Sequence, residues 1–188
     1  MARTKEFDKE GVLEIAIGVF GEHGFAGTST AMLTDAMKIG RQSLYDTFGD
    51  KWGLYCDAIQ RYSEKERDAH ISALQTGKVA MDGLTALLER VVREARKPCL
   101  GVSSISEFGC SHDDLVKMHE RNGSGIHKAI ATRIALAKEQ GDCRKNLDSG
   151  LLATFVIASI SALRLAARGG ASDEELRAIG RLALDALR

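Results

Sequence analysis

The sequence predicts an all-α protein: a three-helix N-terminal head containing a helix-turn-helix, followed by a larger helical body. Three observations predict it. Pro98 is the only proline in 188 residues, and long helices exclude proline because it lacks an N–H and clashes with the preceding turn. Apolar residues recur at helical spacing along most of the chain. Between Thr28 and Phe48, two short apolar stripes are separated only by Lys38-Ile39-Gly40.

The elements follow in order. Val12, Ala16, Val19 and Phe20 form the stripe of a first helix, opened by Asp8 and ended at Gly24. Leu33, Ala36 and Met37 at i, i+3 and i+4 mark a second, short helix, capped by Ser29 or by Thr30 beside it. Gly40 tolerates the dihedrals of a tight turn, and Ile39 plugs the angle between helices. Leu44 and Phe48 anchor a third helix whose other side carries Arg41, Gln42, Ser43, Tyr45, Asp46 and Thr47. Asp50 opens a long fourth helix to about Gln75, with Trp52, Tyr55, Ile59 and Tyr62 on one face and Ser63–Arg67 as solvated surface.

After a loop near Gln75–Lys78, the residues Leu84, Leu87, Leu88, Val91, Val92 and Ala95 give a fifth helix of clean periodicity. Pro98, Gly101 and Gly109 place turns around a short helix over Ser103–Phe108. Leu115, Met118, Ile126, Ile130 and Ile134 run through Asp113–Gln140, where Gly123 and Gly125 leave a kink or break open and Gly141 stops the pattern. Leu147–Leu165 is almost continuously apolar, and Glu174–Leu187 adds a last helix after Gly169-Gly170. A helix apolar on several sides must be central or meet a partner.

Composition narrows the class. At 44% apolar and 28% charged, the chain has the make-up of a soluble globular protein. No apolar run approaches the roughly 18–20 residues of a membrane span, and the basic start MARTKEFDKE has no hydrophobic segment behind it. A cytoplasmic location is expected. An enzyme is not: the chain has no HExxH, no paired acidic metal motif, no glycine-rich phosphate loop and no nucleophile with an identifiable base. No cofactor is called for. Cys56, Cys99, Cys110 and Cys143 match no zinc spacing. Cys110-x-His112, with His119 and His127 beyond, is the nearest approach to a ligand set, and it leaves a redox- or metal-responsive role as an alternative; no metal site is assigned.

Two helices joined by about three residues, the second with a donor-rich outer face, are the arrangement by which proteins enter the DNA major groove. The first fifty or so residues resemble the N-terminal domain of the TetR family of bacterial transcriptional regulators. Phe20, Gly24, Phe25, Thr28, Ser29, Leu33, Ala36, Ile39, Leu44, Tyr45, Phe48, Lys51 and Tyr55 carry the likeness, and Ser43-Leu44-Tyr45 followed by Phe48-Gly49-Asp50-Lys51 is its most specific run. Three positions depart from the family pattern: Lys38 stands where Gly is common, Gly40 where Ser is common, and Gln42 where Gly is common. The resemblance implies a DNA-binding domain over residues 1–50 and a ligand-binding and dimerisation domain over 51–188.

By that likeness, Thr28, Ser29, Tyr45 and Lys51 hold phosphate and Thr47 faces DNA. Gln42 has the amide geometry to read adenine, Arg41 suits guanine or phosphate, and Ser43 shares their face. The charge is modest. Residues 1–51 hold six Lys and Arg against eight Asp and Glu, a net −2 within a chain of net zero. Placement therefore matters more than the sum: Lys38, Arg41 and Lys51 bracket the third helix, and Arg3 with Lys5 form a basic arm.

The family likeness further implies a homodimer packed through its last two helices, for which Leu152, Phe155, Val156, Ile160, Leu163, Leu176, Ile179, Ala183 and Leu187 are the candidates. Such a dimer matches a palindromic operator, with two half-sites about one helical turn apart or a multiple of it. It also implies a repressor released by a small-molecule effector through a tilt of the fourth helix against the first. Tyr62, Glu107, Phe108, Met118, His119 and Asn122 are the candidate effector contacts. The remaining alternative is a helical protein-interaction module that binds no DNA.

Overall fold

The computed structural model describes residues 7–188, and within them the protein is entirely helical. The basic arm at Arg3 and Lys5 lies outside the described residues. The elements are α1 (Lys9–His23), α2 (Thr30–Met37), α3 (Arg41–Phe48), α4 (Lys51–Leu74), α5 (Ala80–Glu94), α6 (Leu100–Phe108), α7 (Asp113–Gln140), α8 (Ser149–Arg168) and α9 (Asp173–Asp185).

Local chemistry accounts for the ends. Asp8 opens α1 by accepting from the Glu10 N–H at 3.0 Å. Of the two candidates for α2, Ser29 is the cap, accepting from Met32 N–H at 3.2 Å. Asp148 caps α8 through Leu151 N–H at 2.9 Å. Ser172 and Glu175 form a reciprocal capping box on α9, a Ser-x-x-Glu pattern that starts the helix one residue before the expected Glu174. The short helix expected over Ser103–Phe108 begins three residues earlier, at Leu100, immediately after Pro98 and Cys99.

Helix α7 runs unbroken through Gly123 and Gly125. Each glycine costs about 1 kcal/mol against alanine in a helix interior. The apolar stripe of buried Leu115, Met118, Ile130 and Ile134 continues on both sides, and packing of such a face outweighs local propensity.

The chain divides into two compact units. The first comprises residues up to Glu64 together with Pro98–Met118. Beyond residues 1–50 it takes in the start of α4, all of α6 and the beginning of α7. Its core is built on Phe20, Leu33, Leu44, Leu54, Tyr55, Ile59, Leu100 and Leu115, each no more than 1% exposed. Burying one such side chain stabilises by roughly 1.5–3 kcal/mol. Phe20, Phe25, Trp52, Tyr55 and Phe108 form a continuous ring cluster, for example with Phe20 edge-on to Tyr55 at 4.9 Å. Gly21 is needed where α1 meets the entry to α6, since a Cβ there would lie 2.8 Å from Pro98 Cβ. Burial pushes the Tyr55 phenol up to about 12.

The second unit comprises Lys65–Lys97 and His119–Arg188. Its apolar core draws on Leu84, Leu87, Leu88 and Val91 of α5, Ile130 and Ile134 of α7, Val156 and Leu163 of α8, and Leu176 of α9. Beside that core sits a half-buried ion cluster. Glu66 accepts from Arg90 at 2.8 Å and from Arg164 at 3.1 Å. Arg90 also pairs with Glu94 at 3.0 Å. Arg164, only 4% exposed, donates to the Glu94 carbonyl at 2.6 Å. Burial pushes His70 down to about 4, so its ring is neutral. Its Nδ1, 2.9 Å from Arg90 Nη1, is the acceptor, because a guanidinium only donates.

Helix α8 corrects one expectation. Its 20 residues, with a mean hydropathy of 1.8 over the most apolar stretch, make it long and apolar enough to cross a membrane by length and composition. The buried side packs into the second core, and Arg164 within it is held by the ion cluster. Leu151, Phe155 and Leu165 remain exposed along its other side, as does Leu182 on α9 at 67%.

Candidate nucleic-acid interface

The turn between α2 and α3 depends on one residue in an unusual conformation. Lys38 ends α2 with φ 54° and ψ 36°, the left-handed region, and among the described residues it is the only non-glycine with positive φ. This turns the chain so that Ile39 N–H donates to the Thr34 carbonyl at 3.3 Å, while Ile39 packs against the first core. Gly40 then precedes α3 in extended backbone, and no side chain caps the helix. Two of the three departures from the family pattern thus fall on the turn itself.

Leu44 and Phe48 are buried and seat α3 on the unit, whereas Ala36, expected in the α2 stripe, is exposed. The outer face of α3 is organised in two i,i+4 pairs. Arg41 donates to the Tyr45 hydroxyl from Nε at 3.2 Å and Nη2 at 3.1 Å, and lies over the Tyr45 ring at 5.5 Å. Those hydrogen bonds hold the Tyr45 phenol below its ordinary value. Gln42 Nε2 donates to Asp46 Oδ1 at 2.7 Å. A carboxylate only accepts, so this bond fixes which end of the amide faces Asp46. Arg41, Gln42, Asp46 and Thr47 are exposed, with Ser43 and Tyr45 half-buried. Ser29 is also exposed at the start of α2; its oxygen caps the helix and its O–H remains a donor.

Two expected phosphate holders carry structural hydrogen bonds. Thr28 is 1% exposed and donates from Oγ1 to the Gly24 carbonyl at 2.6 Å. Its hydroxyl serves the loop, because burial requires it to be bonded within the chain. Lys51 donates from Nζ to the carbonyls of Phe25 at 2.9 Å and Thr28 at 2.8 Å, with the ammonium 4.0 Å from the Phe25 ring centre.

The same loop explains Glu107, an expected effector contact. Its carboxylate accepts from Phe25 N–H at 2.9 Å and Ala26 N–H at 2.7 Å, so α6 ties down the connection that positions α2. No short-range sequence signal joins residues 82 positions apart. Phe108 belongs to the ring cluster, and Met118 and Tyr62 pack in the first core. His119 and Asn122 are half-buried in the second unit, where burial lowers His119 from its ordinary value. Tyr62, Glu107, Phe108 and Met118 belong to the first unit, and His119 and Asn122 to the second.

The expected dimerisation residues are mostly out of phase with the exposed face. Leu152, Val156, Leu163, Leu176, Ala183 and Leu187 are buried in the second core, Ile160 and Ile179 are half-buried, and Phe155 is exposed. The outward residues are Leu151, Phe155, Ala158, Ala162 and Leu165 on α8, with Leu182 on α9. The near-continuous apolar run hides this phase, since both sides of α8 read alike.

Among the described residues, no three His, Cys, Asp or Glu side chains are grouped to hold a metal. Cys110 is exposed, and His112 stacks on Trp52 at 4.4 Å and against Phe108 at 5.2 Å. Burial pushes Cys56 up to about 11. Cys143 is raised by burial as well, with Sγ donating to the Leu187 carbonyl at 2.9 Å.

An all-helical fold whose first unit projects a polar, donor-rich third helix from an apolar anchor defines a helix-turn-helix regulator. Residues 12–56 match the family model for bacterial regulatory proteins of the tetR family. The chain is 31% identical to the uncharacterized HTH-type transcriptional regulator YezE of Bacillus subtilis (strain 168), over 94% of each protein. It is 25% identical to the HTH-type transcriptional repressor BdcR of Escherichia coli (strain K12), over 99% of this chain and 92% of BdcR. The chain belongs to the TetR family of transcriptional regulators, and it is not an enzyme. Its fold superimposes on the TetR-family regulator CifR, solved as a cysteine mutant with 26-bp operator DNA, at a TM-score of 0.85 and 27% identity over 99% of this chain and all of CifR.

Proposed function

We propose that this regulator acts in the cytoplasm as a homodimeric repressor, binding a palindromic operator through α3 and leaving it when a small molecule binds. The observation that carries the DNA reading is the pairing on α3: Leu44 and Phe48 hold the helix from below while Gln42–Asp46 and Arg41–Tyr45 stand outward. Gln42 keeps a second amide hydrogen and its carbonyl for an adenine edge. Arg41 and Tyr45 contact base or phosphate beside it, while Ser29 and Thr47 supply hydroxyls. Thr28 and Lys51 act indirectly by fixing the loop. CifR, seen on duplex operator DNA, supports this reading.

The exposed face of Leu151, Phe155, Leu165 and Leu182 supports association of two copies, which places two α3 helices on two half-sites. Residues 1–50 supply the DNA contacts and residues 51–188 the effector and dimer surfaces. Release follows when an effector favours a spacing of the two α3 helices that no longer fits the operator. The test is fluorescence anisotropy with fragments from upstream of the protein's own gene. Gln42→Ala is expected to change preference among operator variants and Tyr45→Ala to weaken binding to all of them. Equal losses across the panel for Gln42→Ala remove it as a base reader, and no salt-dependent binding to any fragment removes the DNA reading.

A further inference from the structure

The second unit carries a groove of about 640 Å³ between α5 and α9. Its floor includes Val92, Gly180 and Leu184, and its rim includes Arg93, Arg177 and Arg181. The two helices approach closely here: a Cβ on Gly180 would lie 2.9 Å from Val92 Cγ2. One end is closed by Arg96, which donates to Asp173 Oδ1 at 2.7 and 3.1 Å and to the Ala171 carbonyl at 2.9 Å. With Asp173 held by Arg96, the other lining charges are Arg93, Arg177 and Arg181 against Glu89. Arg177 and Arg181 are four apart on one helix face, so their stems run side by side.

We propose that this groove binds an organic carboxylate with an apolar body, its head on the exposed Arg93, Arg177 and Arg181 and its tail along the Val92–Leu184 floor. The volume lies within the range of about 300–1,000 Å³ usual for small-molecule sites. A guanidinium presents a planar fork that matches a carboxylate, and the excess of arginine repels a cationic ligand of equal size. The site is separate from the face proposed for self-association, because Leu182 is turned about 100° around α9 from Arg181. The inference does not depend on the operator reading.

The test uses the full-length protein and decanoate as probe. Titration calorimetry is run at fixed ionic strength beside decylammonium, which keeps the tail and inverts the charge, and acetate, which keeps the charge and lacks the tail. Saturable binding of decanoate is expected, with acetate and decylammonium at least about tenfold weaker, corresponding to about 1.4 kcal/mol. Methyl resonances of Val92 and Leu184 shift in step with occupancy. The double variant Arg93→Ala/Arg181→Ala, altering exposed side chains, keeps its melting temperature and loses most of the affinity. No saturable decanoate binding, equal binding of decylammonium, shifts confined to other methyl groups, or undiminished affinity in a folded double variant each overturns the proposal.

Discussion

Replacing Lys38 by glycine is expected to stabilise the protein while weakening its grip on DNA. Lys38 holds φ 54° and ψ 36°, where a Cβ crowds the following carbonyl and costs about 1–2 kcal/mol. Glycine removes that strain but widens the unfolded ensemble, returning roughly 0.4–1 kcal/mol. The difference is a net gain of about 0.5–1 kcal/mol. For a domain of this size, each kcal/mol moves the midpoint by roughly 2–4 °C, so a rise of about 1–4 °C is expected. Lys38→Ala is the control, since it removes the charge and keeps the Cβ. The two variants share the loss of a cation beside α3, which lowers the salt slope of DNA binding by about 0.9 where that cation holds one phosphate. Calorimetry at equal protein concentration and anisotropy across a salt series read the two effects separately. A glycine variant melting no higher than the alanine variant refutes the strain argument.

Three further outcomes follow from the packing. Glu107→Ala frees two loop N–H groups and is expected to lower stability by about 1 kcal/mol, at the modest end for a charged acceptor because Glu107 is exposed, and to weaken operator binding although it touches no DNA; unchanged melting and anisotropy refute that. His70, pushed down to about 4 from 6.5, favours the fold when neutral, so stability is full above pH 6.5 and falls as pH drops toward 4. Glu66, held below its ordinary range despite burial by Arg90 and Arg164, adds a further loss below pH 4.5. His70→Asn keeps an acceptor for Arg90 and is expected to flatten the melting curve between pH 6.5 and 4; an unchanged slope counts against it. Phe155→Glu with Leu182→Glu charges the exposed α8–α9 face, and light scattering is expected to give a monomer mass, whereas a persisting dimer places the interface elsewhere.

What the sequence by itself determined is the local order of the chain. Helix starts at Asp8 and Ser29, the anchoring of α3 by Leu44 and Phe48, and the odd residues of the turn, Lys38 and Gly40, were all legible. Each depends on neighbours within about four positions, and helical periodicity and capping act over that range. Only the tertiary structure decided the rest. It turned Thr28 and Lys51 inward to the loop and gave Glu107 to the α1–α2 connection, 82 positions away. It also drew Phe108 into the ring cluster and set which side of the apolar α8 is exposed. Glu66, Arg90 and Arg164 meet only when three helices pack. The physical reason is common to all of them: a polar or apolar side chain satisfies itself against whatever folding brings near. Where several faces are chemically equivalent, spacing along the chain does not say which neighbour arrives.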